Sequence, residues 1–89
     1  MIYAALLLAH WFIPAYCCGD GDCFETPTHV SSVREVGGSY EFTTEHGVFL
    51  VPVKDTNPSP DAEFYICLNL NYQPPIVRNG CVWAPRGMV

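Results

Sequence analysis

Positive charge is scarce in this sequence. Arg34, Lys54, Arg78 and Arg86 are its only Lys or Arg residues against nine acidic side chains, a formal balance of −5 over 89 residues. Such a surface repels phosphate backbones, which disfavours nucleic-acid binding. Basic residues nowhere combine with an amphipathic helical period, so a membrane-surface helix is disfavoured as well. Internal repeats, low-complexity tracts and interdomain linkers are all missing, and a chain of 89 residues is bounded to one domain. Cys17, Cys18, Cys23 and His29 lie close in sequence, but no Cys-x-x-Cys pair gives them zinc-site spacing. Asp20-Gly21-Asp22 starts like a calcium loop without the later ligands, and reads as an acidic turn. Asn57-Pro58-Ser59 has proline in the middle position that glycosylation forbids. No metal or cofactor is expected.

Charged side chains are also absent from Met1 to Gly19, where Ile2 to Ile13 is mostly apolar and Pro14 interrupts the run. A transmembrane helix needs about 20 mainly apolar residues, whereas a secretory signal needs an apolar centre of roughly 7–15 followed by small residues. The run fits the second description, although no Lys or Arg precedes it. Residues 1–17 are therefore expected to be a cleaved signal peptide, with Ala15 and Cys17 at the recognition positions of the cut. An uncleaved anchor is the competing reading. Cleavage leaves residues 18–89 as a secreted, extracellular domain without membrane attachment. Of the five cysteines, Cys18, Cys23, Cys67 and Cys81 then remain, an even set with three connectivities. In an oxidising compartment these thiols form disulfides rather than metal ligands.

What remains reads as short β-strands. In Ser39–Thr44, Tyr40 and Phe42 alternate with Ser39, Glu41 and Thr43, and Glu45-His46-Gly47 makes a hairpin connection into the almost continuous apolar run Val48–Lys54, which suits a strand covered on both faces. Pro58 and Pro60 make Asp55–Asp61 a loop. Glu63–Leu70 then puts Phe64, Ile66, Leu68 and Leu70 on one face. Cys23–Thr26 begins a first strand, and the β-branched residues of Thr28–Val36 a second. Ile76–Val82 is the last, running on to Trp83 or broken at Asn79-Gly80. The expected fold is all-β, a small six-stranded antiparallel β-sandwich or barrel stapled by disulfides.

Chemistry is thinly represented. Small secreted all-β ribonucleases place a Glu, a His and an Arg on one sheet as base, acid and phosphate clamp, and Glu41, His46 and Arg34 are the residues available for those parts. Glu41 and His46 flank a single turn, and the net charge repels a polyanion, so no enzyme is expected. Tyr65, Tyr72 and Trp83 are candidates for a carbohydrate or partner surface, with ordinary packing the commoner fate of such side chains.

Together, a start at Cys23, the hairpin GGSYEFTTEHGVFLVPVKD, the strand YICLNLN and the closing turn RNG resemble the MAX effectors. These are the Magnaporthe avirulence and ToxB-like secreted proteins of plant-pathogenic fungi. The resemblance covers most of residues 23–80. It implies six strands in two packed antiparallel sheets, pinned by a disulfide from the first strand to the fifth. That pattern transfers to Cys23 and Cys67, leaving Cys18 and Cys81 as a second pair. It also implies an avirulence-type effector that binds a host plant protein without catalysis, such as a heavy-metal-associated domain or an immune receptor, acting outside cells or in the host cytoplasm. A monomer is expected. Strand addition suits such binding, and the expected edge is Thr28–Val36, with Val30, Ser32 and Arg34 pointing one way. The alternative is a small secreted disulfide-rich toxin or ligand-binding module.

Two features depart from the family. The Asp55–Ala62 loop is longer than its members usually have. Strict alternation also places Cys67 with Glu63, Tyr65 and Asn69, opposite Phe64, Ile66 and Leu68, whereas a bridge across the core wants an inward cysteine. Either a bulge resets the register near Tyr65–Leu68, or both faces are covered there, or the pairing differs.

Overall fold

A computed structural model describes residues 12–17 and 22–85. Seven strands form two sheets: β1 (Cys23–Glu25), β2 (Val30–Val36), β3 (Ser39–Thr44), β4 (Gly47–Pro52), β5 (Asn57–Pro58), β6 (Tyr65–Asn69) and β7 (Ile76–Ala84). Sheet 1 has the order β1-β6-β7-β5, and sheet 2 is the meander β2-β3-β4. Among the described residues no helix is long and apolar enough to cross a membrane.

The meander follows from its turns. Gly37 and Gly38 take φ of 56° and 83° between Val36 and Ser39, the left-handed pair that matches the twist of a two-residue hairpin. Glu45 and His46 make the second turn, after which all six residues of β3 pair in register with β4. β4 stops at Pro52, two residues before the expected end at Lys54, because the chain enters a 3-10 turn, Val53–Asp55, closed by the Thr56 N–H on the Val53 carbonyl (3.1 Å).

The extra strand lies where a loop is expected. Asn57 and Pro58 pair in parallel with Trp83 and Ala84 of β7, so sheet 1 is mixed rather than purely antiparallel. Pro58 is tolerated because it sits on the sheet edge, where its missing N–H costs no ladder bond. Asn57 Nδ2 and the Ser59 N–H donate to the carbonyls of Gly80 and Ala84 (2.9 Å each), which ties this segment down.

Between the sheets lies the main core. Phe24, Ile66, Leu68 and Val82 of sheet 1 meet Val30, Phe42 and Val51 of sheet 2, flanked by Val33, Tyr40, Phe49, Phe64 and Val77. Phe64 packs edge-on against Tyr40 and Phe42, with ring centres 5.3 and 5.9 Å apart, a geometry aromatic quadrupoles favour.

Sheet 1 is covered on its other face too. Cys23, Tyr65, Cys67, Cys81 and Trp83 form a second buried cluster under Phe12, Ile13 and Cys17. Phe12 sets its ring edge-on to Tyr65 at 4.9 Å and to Trp83 at 5.6 Å. Residues 12–17, expected to be the end of a leader, thus pack against the domain. Two disulfides join Cys23 to Cys67 and Cys17 to Cys81. The expected Cys18–Cys81 pair is replaced, since Cys81 is bonded to Cys17; Cys18 itself lies outside the described residues. Cys23 and Cys67 are neighbours within sheet 1, so this bridge does not pin one sheet to the other.

Cys67 keeps the face that alternation gives it, beside Tyr65 and away from Ile66 and Leu68. The pairing of β6 with β7 does shift here, from Ile66↔Val82 to Leu68↔Val77, so Arg78–Cys81 bulge out opposite Cys67. The bulge leaves the facing of Cys67 unchanged. It is the covering of both faces that accommodates the cysteine.

Candidate binding surface

The free face of sheet 2 can be read row by row from the register. Ser32, Thr43 and Val48 form one row, Arg34, Glu41 and Leu50 the next, and Val36, Ser39 and Pro52 the last. Their neighbours Val33, Phe42 and Phe49 face the core, because side chains alternate along each strand. The polar residues of this face lie on β2 and β3, while Val36, Val48 and Leu50 leave large apolar side chains exposed.

Arg34 and Glu41 lie directly opposite each other, and Arg34 Nε donates to Glu41 Oε1 at 2.6 Å. The guanidinium is largely in water and the carboxylate mostly covered, at 72 and 25% side-chain exposure. An exposed pair of this kind contributes at most about 1 kcal/mol. Its other consequence is geometric: the planar guanidinium is held against the sheet with its remaining N–H groups available to a partner.

Of the three residues expected on one edge surface, Ser32 and Arg34 share this face and Val30 does not. Val30 is fully buried in the core between the sheets. The cause is a bulge at Ser31: pairing passes from Val30↔Thr44 to Ser32↔Thr43, so one extra residue turns Val30 inward. Ser31 Oγ donates to the Thr43 carbonyl at 3.3 Å beside this step. A weakly alternating run such as VSSVREV carries no signal for where the extra residue falls.

The residues considered for catalysis are not brought together. Glu41 belongs to the free face, whereas the His46 ring lies 5.2 Å from the ring of the core residue Phe24. His46 Nε2 is 3.5 Å from Glu45, whose other oxygen is 3.8 Å from His29 Nδ1, so these three link the β1–β2 and β3–β4 turns. Among the described residues no group of His, Cys, Asp and Glu converges as a metal site. Asp22, at the end of the acidic turn, is engaged by Arg78 at 2.7 Å, and Arg78 Nε also donates to the Leu68 carbonyl at 3.1 Å. Asp20 and Gly21 lie outside the described residues.

Of the aromatic candidates, Tyr65 and Trp83 are buried under Phe12, and only Tyr72 is exposed. The Tyr65 hydroxyl donates to Asp61 Oδ2 at 2.8 Å, while Ser59 Oγ and the Glu63 N–H serve Oδ1 at 3.0 and 2.9 Å. Burial and this bond to Asp61 push the Tyr65 phenol well above its ordinary range. Burial also raises Asp61, but the hydrogen bonds from Glu63, Tyr65 and Ser59 outweigh it and hold the carboxyl below its usual value. The long Asp55–Ala62 loop therefore carries an anchored network. Compared with protein-family models, curated proteins and solved structures, the chain matches none.

Proposed function

We propose that this chain is a secreted effector of the MAX type that acts by binding a host plant protein, with no catalytic step. One observation carries the reading. The free face of sheet 2 presents Ser32 and the Arg34–Glu41 pair beside exposed Val36, and an arginine next to exposed apolar surface is a combination that protein interfaces favour. The partner contacts Ser32 and Arg34 along β2, and a heavy-metal-associated domain or an immune receptor is the class the family resemblance supplies. Secretion is part of the proposal and rests on the apolar segment Ile2–Ile13 and on the two disulfides.

The test is affinity capture from plant extract with wild-type protein, Arg34→Glu, Val36→Asp and a control just after β6 of the other sheet, Leu70→Asp. A partner retained by wild type and by the control but lost with the first two variants supports the reading. Equal capture by all four removes the β2 surface from it. RNA turnover by the purified protein, abolished by Glu41→Ala, replaces the binding function with an enzymatic one.

A further inference from the structure

The two edges of sheet 2 are guarded very differently. β2 carries a bulge and the charged residues Arg34 and Glu35, devices that discourage strand pairing. β4, Gly-Val-Phe-Leu-Val-Pro, has no charge and an unbroken register with β3. Val48 and Leu50 are the most exposed large aliphatic side chains among the described residues, at 59 and 61%.

The ladder also leaves backbone groups open on that side. Pro52 has no N–H to give, so its pair with Ser39 is of the non-hydrogen-bonded kind, and alternation makes Leu50 and Val48 the same. Their N–H and C=O groups therefore point away from β3. The two-residue turn gives the same answer, because its closing pair, Thr44 and Gly47, is a hydrogen-bonded one. Beside this edge runs a groove of about 190 Å³ whose apolar lining is Leu50, Val51, Pro52, Val77 and Val82, with Asp55 and Arg78 as its charged members. It opens where β7 bulges away.

Charge decides the occupant. Acidic residues stand at both ends of the uncharged strand: Glu45 in the turn before it, between His29 and His46, and Asp55 in the 3-10 turn after it, where exposed Lys54 lies 3.4 Å away. A second copy brings the same acids and a further charge of −5, which opposes self-pairing. We propose that the β4 edge accepts an extended segment of a partner protein as a fourth strand of sheet 2, apolar at its centre and cationic at its ends. One central side chain enters the groove and the terminal cations meet Glu45 and Asp55. This rests on the host-binding reading and adds a second, separate contact to it.

The probe is a blocked hexapeptide, Lys-Val-Thr-Leu-Val-Lys, titrated into the oxidised full-length chain and followed through backbone amide resonances. Saturable shifts centred on Val48 and Leu50 are expected, with Ser32 and Arg34 unmoved. The counterpart with Glu at both ends should bind at least tenfold more weakly. Leu50→Lys and, independently, Val48→Lys should each weaken the lysine-ended peptide at least tenfold, while Leu70→Lys, at an exposed position after β6, stays within twofold; a folded spectrum is required of each variant. Shifts centred on β2, equal binding of both peptides, or no binding at all overturns the proposal. Shifts at Val48 and Leu50 that grow with protein concentration alone also overturn it, assigning the edge to a second copy. If the peptide fails while Arg34→Glu still abolishes host capture, the host-binding reading stands without this edge.

Discussion

Cys23 and Cys67 face each other across β1 and β6, their Cα atoms 4.0 Å apart. The bridge joins two strands that are already neighbours, on the side of sheet 1 turned away from sheet 2. Its stabilising effect is therefore exerted on the unfolded chain, by closing a loop between residues 44 apart in sequence; the chain-entropy account gives about 4 kcal/mol. Cys17–Cys81, spanning 64 residues, is of similar magnitude, about 4 kcal/mol. Reduction is expected to abolish the cooperative thermal transition, since the sum rivals the whole stability of a small domain. A melting curve that reductant leaves unchanged contradicts this.

Cys17 bears on where a leader is removed. Because Cys17 is fully buried and bonded to Cys81, the secretion proposed above requires a mature chain that retains it, with cleavage upstream. Intact mass after reduction and alkylation reads this directly. A mature chain starting at Cys18, with Cys18 bonded to Cys81, is the contrary result.

The Phe12 contact gives a third expectation. Its ring covers Tyr65 and Trp83, so in the full-length chain, which keeps this segment, Phe12→Ala should cost about 1–3 kcal/mol and increase Trp83 fluorescence quenching by solvent. No change in either quantity would show that the segment does not seal the outer face.

The bulge at Ser31 sends the two residues flanking it to opposite faces. Val30→Asp places a carboxylate in the core between the sheets and is expected to cost more than about 4 kcal/mol, whereas Ser32→Asp on the open face should stay within about 0.5 kcal/mol. Chemical denaturation of the two variants checks the contrast. Equal effects would place both side chains on one face.

Tyr65 and Asp61 predict opposite pH dependences. The Tyr65 value is raised in the fold, so its contribution is complete below the ordinary pH of 10.0 and declines as pH rises above it. The Asp61 value is lowered, so its contribution is present above the ordinary 3.8 and is lost as pH falls below that. Tyr65→Phe should flatten the alkaline limb of a stability–pH profile, and Asp61→Asn the acid limb. A variant that leaves its own limb unaltered contradicts the assignment.

The meander was legible in the sequence because turn chemistry and alternation agree there: the glycine pair, the short second turn and the Tyr40/Phe42 face all specify one register. Other parts were not. The strand Asn57–Pro58 is two residues long and exists through its parallel neighbour in β7, a relationship no local pattern records. Val30 turns inward through a single-residue bulge, which alternation cannot locate in a run with Ser on both outward and irregular positions. The covering of Cys67 depends on Phe12 and Cys17, which an apolar segment read as a leader assigns to no core. Edge reasoning set Ser32 and Arg34 on one exposed face of β2, as the register has them, but it gave no sign that β4 is an open edge, because its apolar run reads as a strand covered on both faces.

No cysteine occurs between Val30 and Pro52, the span of sheet 2. Both covalent links belong to the rest of the chain, and the meander meets it through the inward residues Val30, Phe42 and Val51. Such a segment can diversify as one cassette. Its outward positions answer to whatever they bind and not to the core, while the inward positions must keep their size to fit the disulfide-linked remainder.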